Sequence, residues 1–142
     1  MNNRAIYELF AKEHKIKTIV TKKLKILRKY SKGICLDCAC GDGQYIPYFN
    51  NCEKVVGIDI STIRLKRAKI KNKDAELILC DVLHLPFKNN TFDFVFASEI
   101  IEHFSFDDGQ KMLNEVTQVI KNKGIIIITT PNYNNFTSYL SL

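Results

Sequence analysis

At 142 residues the chain is sized for one domain that buries roughly two-thirds of its unfolded surface. Hydrophobic residues make up 46% and charged residues 25%, as in an ordinary globular protein. No apolar run nears the roughly 20 residues that cross a bilayer.

The chain opens Met-Asn-Asn-Arg and turns Lys-rich without an apolar signal segment, which predicts a cytoplasmic location with all five cysteines as reduced thiols. Net charge is +6, unevenly spread: residues 1–32 carry ten Lys/Arg against Glu8 and Glu13, while the remainder carries eleven against thirteen acids. A basic segment beside a near-neutral body suits either a solvated helix face or contact with nucleic acid, anionic lipid or an acidic substrate.

From Arg4 to about Tyr30, apolar residues recur as Ile6, Leu9, Phe10, Ile16, Ile19, Val20, Leu24 and Leu27. That spacing predicts an amphipathic helix, or two in succession, ended by Ser31-Lys32-Gly33. "ICLD" is then a short apolar strand entering a glycine turn, and "QYIPYF" a short helix start. "KVVGIDI" predicts a second strand, followed by Ser61 as an N-cap and a basic helix to about Asn72. "AELILC" predicts a third strand ending at Asp81, and "FDFVFA" a fourth. "GQKMLNEVTQVI" has helical spacing in Met112, Leu113, Val116, Val119 and Ile120. "GIIIITT" is a fifth strand, stopped by Pro131.

Strands alternate with helices, and most are apolar at consecutive positions, so both faces are covered. This predicts an α/β fold, a doubly wound, mostly parallel sheet whose ligands bind beyond the carboxyl ends of the strands. The candidates there are Asp37 to Gly43, Asp59, Asp81, and Ser98-Glu99. The first turn reads D-x-A-x-G-x-G from Asp37 to Gly43. Small residues at 39, 41 and 43 permit a sharp turn and close approach of a ligand to the main chain. The dinucleotide pattern G-x-G-x-x-G fails, since its sixth position is Gln44 or Ile46. Asp59 at a strand end either begins a turn before the Ser61 cap or is placed to accept ribose hydroxyls, and Asp81 could meet an adenine amino group.

These segments together resemble the class I S-adenosylmethionine-dependent methyltransferases of small-molecule type. The carriers are "LDCACGDG", "VVGIDIS", "CDVLHLPFKNNTFDFVFASEIIEHF" and "EVTQVIKNKGIIIITTPN", spanning about Gly33 to Asn132. The resemblance implies a Rossmann-like sheet of about five strands in the order 3-2-1-4-5. It implies a cofactor core over residues 33–142, after a basic helical segment over 1–32. The cofactor it implies is S-adenosylmethionine, held in the family's manner. Its methionyl part lies along the turn of Asp37, Cys38, Ala39, Cys40, Gly41 and Gly43, and its ribose on Asp59. Ile60 packs on the adenine, Asp81 and the Val82 amide read its edge, and Ser98 lies near the methionine end. Ala39 stands where the family more often has Gly, which is tolerable if φ there is negative.

Cys35, Cys38 and Cys40 have no second Cys or His cluster at ligand spacing, so no metal site is expected and they read as small core fillers. Methyl transfer is an in-line displacement on an activated carbon, so alignment and water exclusion come first. A base is needed only where the nucleophile must lose a proton, and His103 is the candidate, with orientation of its loop as the alternative role. His84 reads as a surface residue, and Tyr7 as either a cover for the cofactor or core packing.

The family fold usually continues past strand five. The expectation is therefore a C-terminally incomplete domain, with the apolar edge of strand five covered by a missing part or a second copy. The expected acceptor is a small or lipid-like molecule. The alternatives are a non-catalytic binding module and a nucleic-acid methyltransferase that uses the basic N-terminus.

Overall fold

The computed structural model describes the backbone of residues 13–131 and 138–141 and the side chains of residues 22–131. Tyr7 lies outside the described residues. Five strands run parallel: β1 (Gly33–Cys38), β2 (Cys52–Asp59), β3 (Glu76–Leu79), β4 (Phe92–Ser98) and β5 (Ile120–Thr130). Their spatial order is 3-2-1-4-5, as expected. Among the described residues three α-helices pack on the sheet: α1 (Glu13–Tyr30), α2 (Thr62–Lys71) and α3 (Phe106–Val119). The "QYIPYF" segment forms only a single 3-10 turn, Ile46–Tyr48, with Pro47 in its first turn. The third strand stops at Leu79, before Asp81.

Strand alternation sorts the core into two faces. On one, Cys35, Phe94, Phe96 and Ile127 pack beneath Leu27 of α1 and Phe49. Leu65 of α2 packs with Cys40, Ile46 and Ala75, and Val55 touches both groups, so α1 and α2 share this face. On the other, Leu36, Cys38, Ile58, Val95, Ala97 and Ile128 meet Met112, Val116 and Val119 of α3. The 3.6-residue period of α3 supplies that stripe, and Ser105 caps it by accepting from the Asp108 N–H at 3.2 Å. Ser61 caps α2 in the same way, accepting from the Arg64 N–H at 3.3 Å. Edge-to-face ring pairs, Tyr45 on Phe96 at 5.4 Å and Phe49 on Phe94 at 6.0 Å, tie the segment after the glycine turn to the sheet.

Two expectations are corrected. The outer edge of β5 is not open: β6 (Ser138–Ser141) pairs with it antiparallel from Ile127 to Thr130. No second copy is required to cover those residues. The thiols are also not all free, because Cys35 near the start of β1 and Cys52 at the start of β2 form a disulfide with Cα atoms 6.2 Å apart. The parallel pairing of β1 and β2 brings the two residues together across 17 positions of sequence. Cys38, Cys40 and Cys80 remain free.

Candidate active site

In the register of the sheet, Cys38 lies opposite Ile58 on one side and Ala97 on the other, so β1, β2 and β4 end level. Beyond that line the chain turns through Ala39, Gly41 and Gly43, with φ of +54°, +55° and +73°. The alternating small residues of the sequence are thus the three left-handed positions of one turn. The negative φ that would make Ala39 easily tolerated is not met: it adopts a conformation costing an L-residue about 1 kcal/mol relative to glycine. At Gly43 a Cβ would meet Asn72 Nδ2 at 2.5 Å and Ala68 Cβ at 3.0 Å, so only glycine lets the turn lie on α2.

Main-chain bonds hold the turn to β2. The Cys40 N–H donates to the Ile58 carbonyl at 2.8 Å. The Gly41 N–H donates to Asp59 Oδ2 at 2.9 Å, and the Ser61 N–H to Asp59 Oδ1 at 2.8 Å. Each oxygen of the buried Asp59 carboxylate therefore has one lone pair engaged and one to spare. Asp81 accepts from the Leu83 N–H at 2.9 Å, which bends the chain after β3.

Around this turn lie a cleft of about 500 Å³ and an adjoining recess of about 190 Å³. The cleft brings together Asp37, Ala39, Cys40, Gly41, Asp59 and Ser98. The recess is walled by Ile58, Ile60, Cys80, Val82, Ile100 and Phe104, with Asp81 at its side. Ile60 and His103 border both. Ile60 is 74% exposed, a branched apolar side chain left facing the open space. Two expected residues fall outside both spaces: Cys38 is buried on the α3 face, and Gly43 is tucked against α2. His84 is a surface residue, with Nε2 2.7 Å from Lys111 Nζ.

The electrostatics of the cleft are acidic. Burial, assisted by the charge of Asp59, pushes the Asp37 carboxyl up to about 8. Its Oδ2 is buried with no hydrogen-bond partner, as is Asp42 Oδ1. Burial also pushes the Cys40 thiol up to about 12 and raises Cys38 and Cys80, so all three stay protonated at neutral pH. Among the described residues no three His, Cys, Asp or Glu side chains are placed to hold a metal ion.

One feature of the site was not read from the sequence. Lys23 of α1 is only 3% exposed, and its Nζ donates to Ser98 Oγ at 2.8 Å and Glu99 Oε1 at 2.7 Å. Thr129 Oγ1 lies 3.0 Å from each of the same two oxygens. The available signal was position: Lys23 sits in the apolar stripe of the helix, three residues after Val20 and four before Leu27.

A five-stranded parallel sheet in this order, with an acid-lined glycine turn at its carboxyl edge, defines a Rossmann-like methyltransferase core. A family model described as a methyltransferase domain matches residues 36–128, and the chain belongs to that family. An uncharacterized protein of Methanocaldococcus jannaschii is 38% identical over 99 residues, 70% of this chain and 41% of its own length. A malonyl-[acyl-carrier protein] O-methyltransferase of Hamiltonella defensa is 29% identical over 108 residues, 75% of this chain and 41% of its own. A tRNA (carboxymethyluridine(34)-5-O)-methyltransferase of Saccharomyces cerevisiae is 37% identical over 87 residues, 61% and 30%. The crystal structure of a protein from Pyrococcus horikoshii OT3 superposes with a TM-score of 0.73 at 26% identity, over 90% of this chain and 59% of that one. The chain thus spans about two-fifths or less of the length of these curated relatives.

Proposed function

We propose that the chain binds S-adenosylmethionine in the cleft and transfers its methyl group to a small-molecule or lipid-like acceptor by in-line displacement. The observation that carries this reading is the unpartnered, buried oxygen of Asp37 at the foot of the glycine turn, joined by that of Asp42. Both acids ask for a donor or a cation, and the methionyl ammonium of this cofactor is one. The cofactor supplies a methyl group already activated on a sulfonium.

The residues divide the remaining work. The main chain from Cys38 to Gly41 lies along the methionyl part, and Gly43 lets that turn close on α2. Asp59 uses its spare lone pairs for the ribose hydroxyls, each such charged hydrogen bond being worth about 1.5–3 kcal/mol. Ile60 and Val82 hold the adenine in the apolar recess, and Asp81 reads its amino edge. Ser98 flanks the methionine end. His103, at the mouth of both spaces, takes a proton where the acceptor has one to lose.

Supplying S-adenosylmethionine labelled in its methyl group with a panel of small acids, quinols and acylated carriers tests this. Label is expected in at least one acceptor; cofactor binding without transfer to any of them supports the binding-module alternative. A second reading, RNA as acceptor, is favoured by charge. Residues 22–32 and 62–73 hold twelve Lys/Arg and no acid, and α1 and α2 share one face of the sheet. It predicts RNA binding that weakens steeply between 50 and 200 mM salt, and no binding at low salt excludes it.

A further inference from the structure

A lysine ammonium buried to 3% exposure is costly, and Lys23 offsets that cost with one carboxylate and one hydroxyl. A buried ion pair is weak evidence for stability, since replacing both partners by apolar side chains of similar volume is commonly as good or better, whereas removing one partner alone destabilises. Its placement is informative instead. Lys23 reaches Ser98, Glu99 and the ring of Tyr45, whose centroid is 5.8 Å away, and all three border the cleft. Ser98 ends β4 and Glu99 follows it, whereas Tyr45 follows the glycine turn of β1, so one side chain spans two walls.

Proton bookkeeping makes the cluster directional. Lys23 donates to both Ser98 Oγ and Glu99 Oε1. Thr129 has a single hydroxyl proton for two oxygens at 3.0 Å, and the ionised Glu99 is the stronger acceptor. Ser98 is then left to donate to Thr129 Oγ1, which closes a ring of four groups. Glu99 is held within that ring at φ +56°, a backbone state that is strained for an L-residue and persists where its surroundings over-determine it. Its N–H donates to the Thr129 carbonyl at 2.8 Å. Lys23 and Thr129 both lie outside residues 36–128, the part matched by the family model.

We propose that Lys23 is a positioning residue of the cofactor site: from α1 it fixes Ser98 and Glu99 against Tyr45, and so sets the shape of the methionyl end of the cleft. The inference rests on the functional reading above and adds α1 to the site. Its signature is a split between stability and affinity. Lys23→Met keeps the volume but leaves the Glu99 carboxylate unpaired, so the melting temperature of the full chain falls, and Glu99→Gln added to it restores much of that loss. The affinity of Lys23→Met for S-adenosylhomocysteine falls at least tenfold by calorimetry, equivalent to about 1.4 kcal/mol. Glu99→Gln alone also weakens binding, and the double variant binds no worse than the weaker single one, because the two groups act as a unit.

Binding by Lys23→Met within twofold of the native chain overturns the proposal and leaves the functional reading standing. Additive losses in the double variant overturn it too, by showing that Glu99 acts without Lys23. Should Lys23→Met fail to fold, the double variant, which leaves neither charge unpaired, decides: at least a tenfold loss of affinity in the folded double variant supports the proposal, and affinity within twofold of the native chain overturns it. A native chain that binds no S-adenosylhomocysteine removes both the proposal and the functional reading.

Discussion

Asp37 shows how one residue links burial to chemistry. Without a bound cation its carboxyl stays protonated up to about pH 8, because burial and the neighbouring Asp59 both disfavour its charge. A bound ammonium reverses that preference. Cofactor uptake at pH 7 should therefore release a proton, and affinity should climb as pH rises toward 8 and then level off. Calorimetry in buffers of different ionisation enthalpy reads the released proton directly, and Asp37→Asn should abolish the release. The sign for stability is opposite: the raised folded value means that this group's contribution to stability is full below its ordinary 3.8 and fades as pH rises to about 8. The acids at the strand ends were legible in the sequence because each closes an apolar run. The conformation of Ala39 was not, since a single residue type does not report the sign of φ.

At the scale of elements, the pairing of β1 with β2 carries both the site and its one covalent tie. Cys35–Cys52 closes a loop that contains the entire glycine turn, with a sequence separation of 17. A loop of that length restricts the unfolded chain by roughly 3 kcal/mol. Reduction, or Cys35→Ser, should lower the melting temperature by about 6–12 °C, at about 2–4 °C per kcal/mol for a chain of this size. An unchanged melting temperature after verified reduction would contradict that assignment. Helices and strands were legible from periodicity, and the expected cap Ser61 holds as a side-chain acceptor, while the cap Ser105 was not read from the sequence. The disulfide was hidden because its partners meet only through strand register. The strand β6 was hidden because Ser-Tyr-Leu-Ser is too short to carry a period.

For the molecule as a whole, doubly wound topology explains why residues from distant segments converge. Parallel strands all point one way, so the carboxyl ends of β1, β2, β3 and β4 open on the same edge, and their acids gather there, Asp37, Asp59 and Glu99 in the cleft and Asp81 beside the adjoining recess. That logic was readable from strand order alone. The contribution of α1 was not, because Lys23 and Glu99 are 76 residues apart and a lysine in a basic helix reads as solvated until packing buries it.

The central claim is that the cleft is an S-adenosylmethionine site centred on the turn that Asp59 braces. Calorimetric titration of the full chain with S-adenosylhomocysteine, beside Asp59→Asn, tests it most directly. The account predicts micromolar binding by the native chain and at least a tenfold loss in the variant, about 1.4 kcal/mol, the low end for a lost charged hydrogen bond. A folded native chain that takes up no ligand, or a variant that binds as well as the native chain, would contradict it.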